Sequence, residues 1–247
     1  MIRSLVRFSV ELPAKPPYES AMITAVFRTK DDEVGLAKAL AALVPAATEG
    51  IVRDVVVVDA GSSDGTLAVA DAAGCTILHE ADGDGFRDAV DAARADWLLF
   101  LSPAAVLEPQ WHGEVLAFID RAILAGEGRR RGAVFRLGRV ESGLRARLAE
   151  SSAALRSRLL AAPRAEQGLL VSRTLYRALG GHRPVGAFAE ADLARRIGRR
   201  RLELLRAHAL VRASGDRPGP FRRLRNAVTL ALFVLHMPPG LIERLSG

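Results

Sequence analysis

The chain of 247 residues has little cysteine, few aromatic side chains and almost no lysine. Its one cysteine, Cys75, cannot form an internal disulfide or a zinc cluster, so the composition favours a reducing compartment and we expect a cytoplasmic protein. Aromatic residues make up 5% of the chain and do not alternate with basic residues, which argues against a nucleic-acid partner. These scarcities exclude a disulfide scaffold and a zinc-cluster module.

No segment combines the length and the apolar composition of a membrane span. The C-terminal apolar run from Ala227 to Met237 is shorter than the about 20 residues that a spanning helix needs. Because Arg222, Arg223 and Arg225 precede it, one interpretation is a helix lying on an anionic membrane surface, and thus a peripheral protein at the inner face of the membrane. The favoured interpretation is a C-terminal helix packed on the core.

The first 21 residues are basic and apolar, but Arg7 and Ser9 interrupt the apolar run and no small-residue cleavage site follows. The sequence therefore predicts a flexible extension at 1–21 rather than a signal peptide, followed by one domain at 22–247.

Charge is distributed unevenly along the chain. Residues 1–120 hold 19 acidic and 9 basic residues, whereas residues 121–247 hold 9 acidic and 26 basic residues. This asymmetry indicates that the second half faces anions such as phosphate esters or anionic lipid. The alternative is a set of solvated surface arginines, since 32 arginines against 3 lysines is also what GC-rich coding produces.

The first half alternates strand-like and helix-like stretches, which predicts βαβ units and a mostly parallel central sheet flanked by helices, an α/β fold. The predicted strands and helices are, in order, MITAVF, DEVGLAKALAAL, VVVVD, GTLAVADAA, CTIL, FRDAVDAARA and WLLFL. After Pro109 the pattern predicts helix WHGEVLAFIDRAIL, strand GAVFRL, an amphipathic helix in LRARLAESSAALRSRLL, strand GLLVS, and helices RTLYRAL and EADLARRIGRR.

The stretch VVVVDAGSSDGT is the most specific motif in the sequence. Ligands of open parallel sheets bind beyond the carboxyl ends of the strands, and Asp59 stands at such an end, where it can accept hydrogen bonds from a base or ribose. Gly61 lets the backbone approach a ligand, and Asp64 with Ser63 can cap the helix that follows.

This motif resembles the VVDxGSxDGT stretch of family-2 glycosyltransferases of the GT-A fold, matched from Val57 to Thr66. The first strand of that family ends before acidic residues, matched by Thr29, Asp31, Asp32 and Glu33. The resemblance covers Met22 to about Leu241 and divides the domain into a nucleotide-binding half at 22–109, an acceptor half at 110–218 and a C-terminal helical segment at 219–247. It implies transfer of a sugar from a nucleotide-diphosphate donor to a hydroxyl acceptor, with donor-binding residues Thr29, Asp31, Asp59, Asp64 and Arg87.

The segment Gly168 to Ile197 resembles the acceptor-side segment of the same family, in which a helix ending in Gly-Gly precedes paired acids. Glu190 falls at the position of the general base, which takes the proton of the acceptor hydroxyl, and Asp192 falls at the next acid. The alternative is that both acids merely favour a helix N-terminus. A closer resemblance to bacterial arsenosugar-type transferases implies further acceptor-side residues at Glu166, Gln167 and Arg217.

The stretch WLLFLSPAA lacks the carboxylates that the resemblance implies. In the family an Asp-x-Asp motif here holds a divalent cation, Mn²⁺ or Mg²⁺, against the donor diphosphate, whereas this chain has Ser102, Pro103 and Ala104. We therefore predict no metal-ligating residue at this place. Either arginines neutralise the diphosphate, or donor chemistry is lost and the chain is a non-catalytic sugar-nucleotide or lipid-phosphate binding protein. A literal Asp-x-Asp at Asp82 and Asp84 is interpreted as a polar turn, with a relocated metal site as the alternative.

Overall fold

The computed structural model describes residues 21–80, 85–140, 162–183 and 189–211, together with residues 150, 151, 153–155 and 157. Five predictions fall wholly or mostly outside these residues: the extension at 1–21, of which only Ala21 is described, the acids Asp82 and Asp84, the amphipathic helix in LRARLAESSAALRSRLL, the residue Arg217, and the C-terminal segment at 219–247.

Eight strands and seven helices have defined bounds within the described part of the chain, and residues 150, 151, 153–155 and 157 are helical as well. The strands are β1 (Ile23–Thr29), β2 (Val52–Asp59), β3 (Thr76–His79), β4 (Trp97–Leu101), β5 (Ala105–Leu107), β6 (Gly132–Arg139), β7 (Leu169–Ser172) and β8 (Leu202–Val211). The helices are α1 (Glu33–Ala41), α2 (Val44–Thr48), α3 (Thr66–Ala72), α4 (Gly85–Ala92), α5 (Trp111–Leu124), α6 (Arg173–Ala178) and α7 (Ala189–Ile197). A 3-10 turn, Ala165–Gln167, precedes β7.

The strands form one mixed sheet in the order β3-β2-β1-β4-β7-β6-β8-β5. Strand β7 is antiparallel to β4 and β6, and β5 is antiparallel to β8, whereas the other neighbours are parallel. The prediction of an α/β fold with a mostly parallel sheet is confirmed.

The connection between β4 and β5 shows that the sheet curls. Leu101 and Ala105 are four residues apart, which allows at most about 14 Å of chain. In a flat sheet, four strand spacings of about 4.8 Å, or about 19 Å, would separate β4 from β5. The half of the sheet that contains β6, β8 and β5 must therefore bend back toward the end of β4.

Alternate residues of the central strands pack on opposite faces of the sheet, as the two-residue period of a strand requires. Phe27, Val57 and Leu99 belong to the core layer beneath α1, α3 and α5. Val26, Val58 and Phe100 belong to the layer beneath α4, α6 and α7. Because both faces are covered, the central strands consist mostly of apolar residues.

One helix and two strands differ from the sequence prediction. The helix predicted from Asp32 to Leu43 ends at Ala41, and α2 begins at Val44 with Pro45 in its first turn, because proline cannot continue a preceding helix but fits the start of a new one. Strands β5 and β8 were not predicted. No helix among the residues described is both long and apolar enough to cross a bilayer.

Candidate active site

Two loops meet beyond the carboxyl ends of β1 and β2, one leading into α1 and the other into α3. The backbone N–H of Asp31 donates to the Ser62 hydroxyl at 3.0 Å, while Oδ1 of Asp31 accepts from the backbone N–H of Ser63 at 2.7 Å and from its hydroxyl at 3.1 Å. Asp31 has a φ of 48°, a left-handed conformation that Asp tolerates better than most residues. We call these two segments the paired loops.

Asp64 connects the same loops from the other side. Its Oδ2 accepts from the backbone N–H of Glu33 at 3.2 Å, and its Oδ1 accepts from the backbone N–H of Thr66 at 3.0 Å and from the Thr66 hydroxyl. The Thr66 hydroxyl bond is the main cause that lowers the pKa of Asp64. The expected helix cap at Asp64 is thus present at the first residue of α3, although Gly65 is the cap residue by position.

Asp59 lies beneath the paired loops and is only 2% exposed. Its carboxylate accepts backbone N–H bonds from Gly61 at 3.2 Å and Ser62 at 3.1 Å, and His79 Nδ1 lies 3.6 Å away. Burial raises the pKa of Asp59, but the hydrogen bonds from Ser62 and Gly61, with His79, outweigh burial and lower the pKa overall. The charged carboxylate of Asp59 therefore fixes the backbone of the loop that follows β2.

The hydroxyl of Thr29, at the end of β1, is buried and has no hydrogen-bond partner within the described ranges. A buried hydroxyl without a partner is uncommon in proteins and calls for a water or ligand partner. Thr29 lies at the carboxyl end of β1, beside the paired loops.

A second cluster lies on the opposite face of the sheet, around Glu190 at the start of α7. Burial is the largest cause that raises the pKa of Glu190; the charge of Glu166 raises it further, and Arg28 lowers it. Arg28 projects from β1 and binds Glu80, which follows β3, through Nε at 2.9 and 3.0 Å from the two carboxylate oxygens. Glu190 is half-buried, and a carboxylate whose pKa is raised in this way is a group suited to take a proton.

Gln167 anchors the 3-10 turn that carries Glu166. Its side chain is fully buried, its Nε2 donates to the carbonyl of Phe135 at 2.9 Å, and its Oε1 accepts from the N–H of Arg164 at 3.0 Å and from the Ser157 hydroxyl at 3.1 Å. Every polar atom of the amide is thus occupied within the protein. Gln167 holds the turn in place, whereas Glu166 next to it is half-buried.

Asp192 is engaged in a similar way. Arg196, one turn further along α7, binds Asp192 at 2.7 and 2.8 Å and donates to the carbonyls of Leu179 and Gly181 at 2.6 Å. The partly buried pair of Asp192 and Arg196 thus binds the start of α7 to the turn after α6.

His182 follows that turn and packs between aromatic rings. It stacks on Phe86 with ring centroids 4.2 Å apart, meets Phe100 edge-on at 4.6 Å, and its Nδ1 lies 3.1 Å from the Tyr176 hydroxyl. Burial, assisted by the charge of Arg196, lowers the pKa of His182 to about 3, so the ring is neutral.

The corner between β4 and β5 contains Ser102, Pro103 and Ala104. Pro103 is buried, Ala104 is exposed, and the Ser102 hydroxyl accepts from the backbone N–H of Ala104 at 3.3 Å. Within the described ranges, no three His, Cys, Asp or Glu residues are grouped closely enough to hold a metal ion.

The structure thus brings Thr29, Asp31, Asp59 and Asp64 together beyond β1 and β2, and Glu166 and Glu190 together near Arg28. Arg87 lies on α4, next to Phe86. Sequence reasoning missed Arg28, Glu80 and His182. The one readable signal was Arg28 itself, a charged residue within the apolar strand ITAVFRT.

The sheet order, the curled second half and the site beyond β1, β2 and β4 define the GT-A fold of glycosyltransferases. The sequence matches the family described as "Glycosyl transferase family 2" over residues 23–158, more than half of its length. The chain belongs to this family. A comparison with curated proteins gives no match.

Solved structures agree with the fold. Glucosyl-3-phosphoglycerate synthase from Mycobacterium tuberculosis, in complex with Mn²⁺, UDP and glucosyl-3-phosphoglycerate, superimposes with a TM-score of 0.57 at 20% identity, over 92% of this chain and 86% of that one. The same enzyme with Mn²⁺ and UDP-glucose gives 0.57 at 19% identity, over 90% and 83%. A structure described only as a mycobacterial protein gives 0.61 at 19% identity, over 92% and 81%. At these identities the likeness concerns the fold alone.

Proposed function

We propose that this protein transfers a sugar from a nucleotide-diphosphate donor to a hydroxyl acceptor, by single displacement with inversion. The observation that carries the proposal is the half-buried Glu190 at the start of α7, whose pKa is raised by its removal from water and by the charge of Glu166. Such a carboxylate removes the proton of an acceptor hydroxyl as the oxygen attacks the anomeric carbon. Membership of glycosyl transferase family 2 supports the same reaction.

The paired loops form the donor side in this proposal. Asp31 and Asp64 fix the two loops to each other, Asp59 holds the second loop from below, and Thr29 offers the hydroxyl that lacks a partner. Arg87 on α4 completes the donor side. The solved relatives that hold UDP or UDP-glucose are consistent with a nucleotide-sugar donor.

The acceptor side comprises Glu166, Gln167, Asp192 and Glu190. Since Gln167 and Asp192 are engaged within the protein, we assign both to positioning: Gln167 holds the turn that carries Glu166, and Asp192 holds the start of α7. Arg217 is a further acceptor-side residue in the proposal, as the resemblance to arsenosugar-type transferases implies.

The metal ion that this family uses does not fit the residues at the β4–β5 corner. A serine hydroxyl engaged with Ala104, a buried proline and an alanine supply no carboxylate ligand for Mn²⁺ or Mg²⁺. We therefore derive no step through a metal at this corner and propose that arginines meet the charge of the diphosphate.

The same corner favours a second candidate function. A chain that lacks these acids but keeps the fold can bind a sugar nucleotide or a lipid phosphate without catalysis. The two candidates differ in one property, since only a transferase depends on a base at Glu190.

Calorimetric titration with UDP-, GDP- and dTDP-sugars, each with and without Mn²⁺, tests the donor. The transferase proposal predicts binding that Mn²⁺ does not alter; binding that requires Mn²⁺ would contradict arginine neutralisation, and no binding of any donor would refute the proposal. Donor hydrolysis or transfer to an acceptor mixture then separates the two candidates. Glu190→Gln should keep donor affinity and lower turnover about 10²–10⁴-fold, whereas Asp71→Asn, an exposed acid on α3, is the matched control. Full turnover in Glu190→Gln would eliminate Glu190 as the base.

A further inference from the structure

Two arginine triplets lie side by side at the end of the sheet where β6 and β8 start, opposite the end that carries the candidate active site. Arg129, Arg130 and Arg131 precede β6, and Arg199, Arg200 and Arg201 precede β8. The two strands are parallel, Gly132 is paired with Leu202, and the N–H of Gly132 donates to the carbonyl of Arg201 at 3.0 Å. The triplets are therefore in register, and we call these six residues the arginine edge.

Most of the positive charge of the arginine edge is not neutralised. Arg131 binds Glu127 at 2.5 Å and lies 3.8 Å from Glu203, and it is the half-buried member of the set. The other five arginines are exposed and form no ion pair with any carboxylate in the described part of the chain. Like charges this close repel one another, so a surface of this kind is favourable when an anion covers it.

An apolar side chain stands at the same edge. Four residues separate the end of helix α5 from the first triplet, and the last residue of the helix, Leu124, is 88% exposed, while Ile123 is 41% exposed. A large, almost fully exposed leucine at the same end of the sheet as the exposed arginines combines the two contacts that a bilayer surface offers, phosphate groups and the upper acyl chains.

We propose that the arginine edge is a docking surface for an anionic lipid bilayer. Guanidinium groups bind lipid phosphates in a bidentate manner, and each basic residue near an anionic membrane strengthens binding about fivefold. A nucleic acid fits less well, because single-stranded bases need exposed aromatic rings to stack on, and none of the tryptophan or phenylalanine residues in the described ranges is an exposed residue.

The orientation has a consequence for the site. Strands β6 and β8 start at the same end of the sheet as β1, β2 and β4. The paired loops and Glu190 lie at the other end. A protein docked through the arginine edge holds its candidate active site away from the membrane. This inference does not depend on the proposed reaction.

Vesicle sedimentation of the full chain tests the proposal. The probe is phosphatidylcholine vesicles with and without about 30% phosphatidylglycerol, at about 0.1 M salt. The full chain should bind only the anionic vesicles, and the binding should weaken as salt increases. The variant Arg130→Gln/Arg199→Gln/Arg200→Gln should lose about 100-fold in affinity, and Leu124→Ser should weaken binding further.

Two variants with the same loss of charge serve as controls: Arg164→Gln/Arg183→Gln/Arg206→Gln, which removes exposed arginines away from the end where β6 and β8 start, and Arg222→Gln/Arg223→Gln/Arg225→Gln near the C-terminus. Both should retain most of the binding. Equal losses in all three variants, a loss confined to the C-terminal variant, or full binding by the arginine-edge variant would each overturn the proposal. So would a failure of the full chain to bind anionic vesicles, or a patch-dependent gel shift of RNA without vesicle binding. Circular dichroism checks that each variant is folded.

Discussion

Asp31 and Ser63 are 32 residues apart in the chain, yet the carboxylate of Asp31 accepts hydrogen bonds from both the backbone N–H and the hydroxyl of Ser63. In return, the hydroxyl of Ser62 accepts from the backbone N–H of Asp31. The paired loops are therefore fixed to each other by reciprocal bonds before any ligand contributes.

Removing the Asp31 carboxylate should loosen the paired loops. In Asp31→Ala the Ser63 N–H loses its acceptor and alanine must adopt a φ of 48°, so we expect a loss of about 1–2 kcal/mol in the free energy of unfolding. Hydrogen exchange by mass spectrometry should show faster exchange in residues 60–66. Asp31→Asn keeps an acceptor and tolerates the conformation, so its exchange should stay close to that of the original chain. Unchanged exchange in Asp31→Ala would show that other bonds hold the loops.

The ionised carboxylate of Glu190 should lower the free energy of unfolding at neutral pH. Its pKa is raised in the folded state, so the folded protein resists ionisation that the unfolded chain undergoes freely, and stability falls as pH rises through the raised pKa. Glu190→Gln should therefore be more stable than the original chain at pH 7–8; the gain should shrink as the pH falls through the raised pKa, and it should be lost below about 4.3, where the carboxyl is protonated in both states. Urea unfolding at several pH values measures this. A Gln variant that is less stable at pH 8 would mean that the charged form is favourably bound.

The charges around Glu190 should shift its titration in opposite directions. Glu166 raises the pKa of Glu190 and Arg28 lowers it, so Glu166→Gln should lower that pKa and Arg28→Gln should raise it. Carbon-13 NMR of the Glu190 carboxyl reports the pKa directly, without an activity assay. If Glu190 is the base, the acid limb of the kcat/KM profile should move with the NMR value in both variants; shifts of the same sign would contradict the arrangement.

Gln167 should matter for stability more than its size suggests. Gln167→Met fills a similar volume but leaves the Phe135 carbonyl and the Arg164 N–H without their partner, which should cost about 3 kcal/mol. The same substitution at the exposed Gln110 should change the free energy of unfolding by less than about 0.5 kcal/mol. Equal effects at the two positions would refute the role of the buried network.

The elements that sequence patterns predicted correctly are those with strong local signals. Strands β2 and β4 are apolar runs, and α5 spans the predicted fourteen residues from Trp111 to Leu124. Strand β8 was missed because Arg206 and His208 interrupt an otherwise apolar stretch and an arginine-rich turn precedes it. Its buried positions, Leu205, Ala207 and Ala209, alternate as a strand should, but small alanines give a weak signal.

The site was predictable in part for the same reason. The acids after β1 and β2 belong to short motifs, and parallel strands bring their carboxyl ends together, so their proximity follows from the pattern. The approach of Glu166 and Arg28 to Glu190 depends on how the 3-10 turn and α7 pack across the sheet. Glu166 is 24 positions and Arg28 is 162 positions away from Glu190 in the sequence, so no local pattern predicts that they meet.

The pairing of Ala105 with Val211 joins the two ends of a segment of more than a hundred residues. On the ribosome, β5 emerges directly after β4, but its partner β8 is synthesised about 5–20 s later at ordinary rates of translation. Until β7 is synthesised, partway through that interval, β4 is an unpaired apolar edge strand in the first half of the sheet. Nascent chains arrested between these two points should be the forms that chaperones bind most and that aggregate most readily.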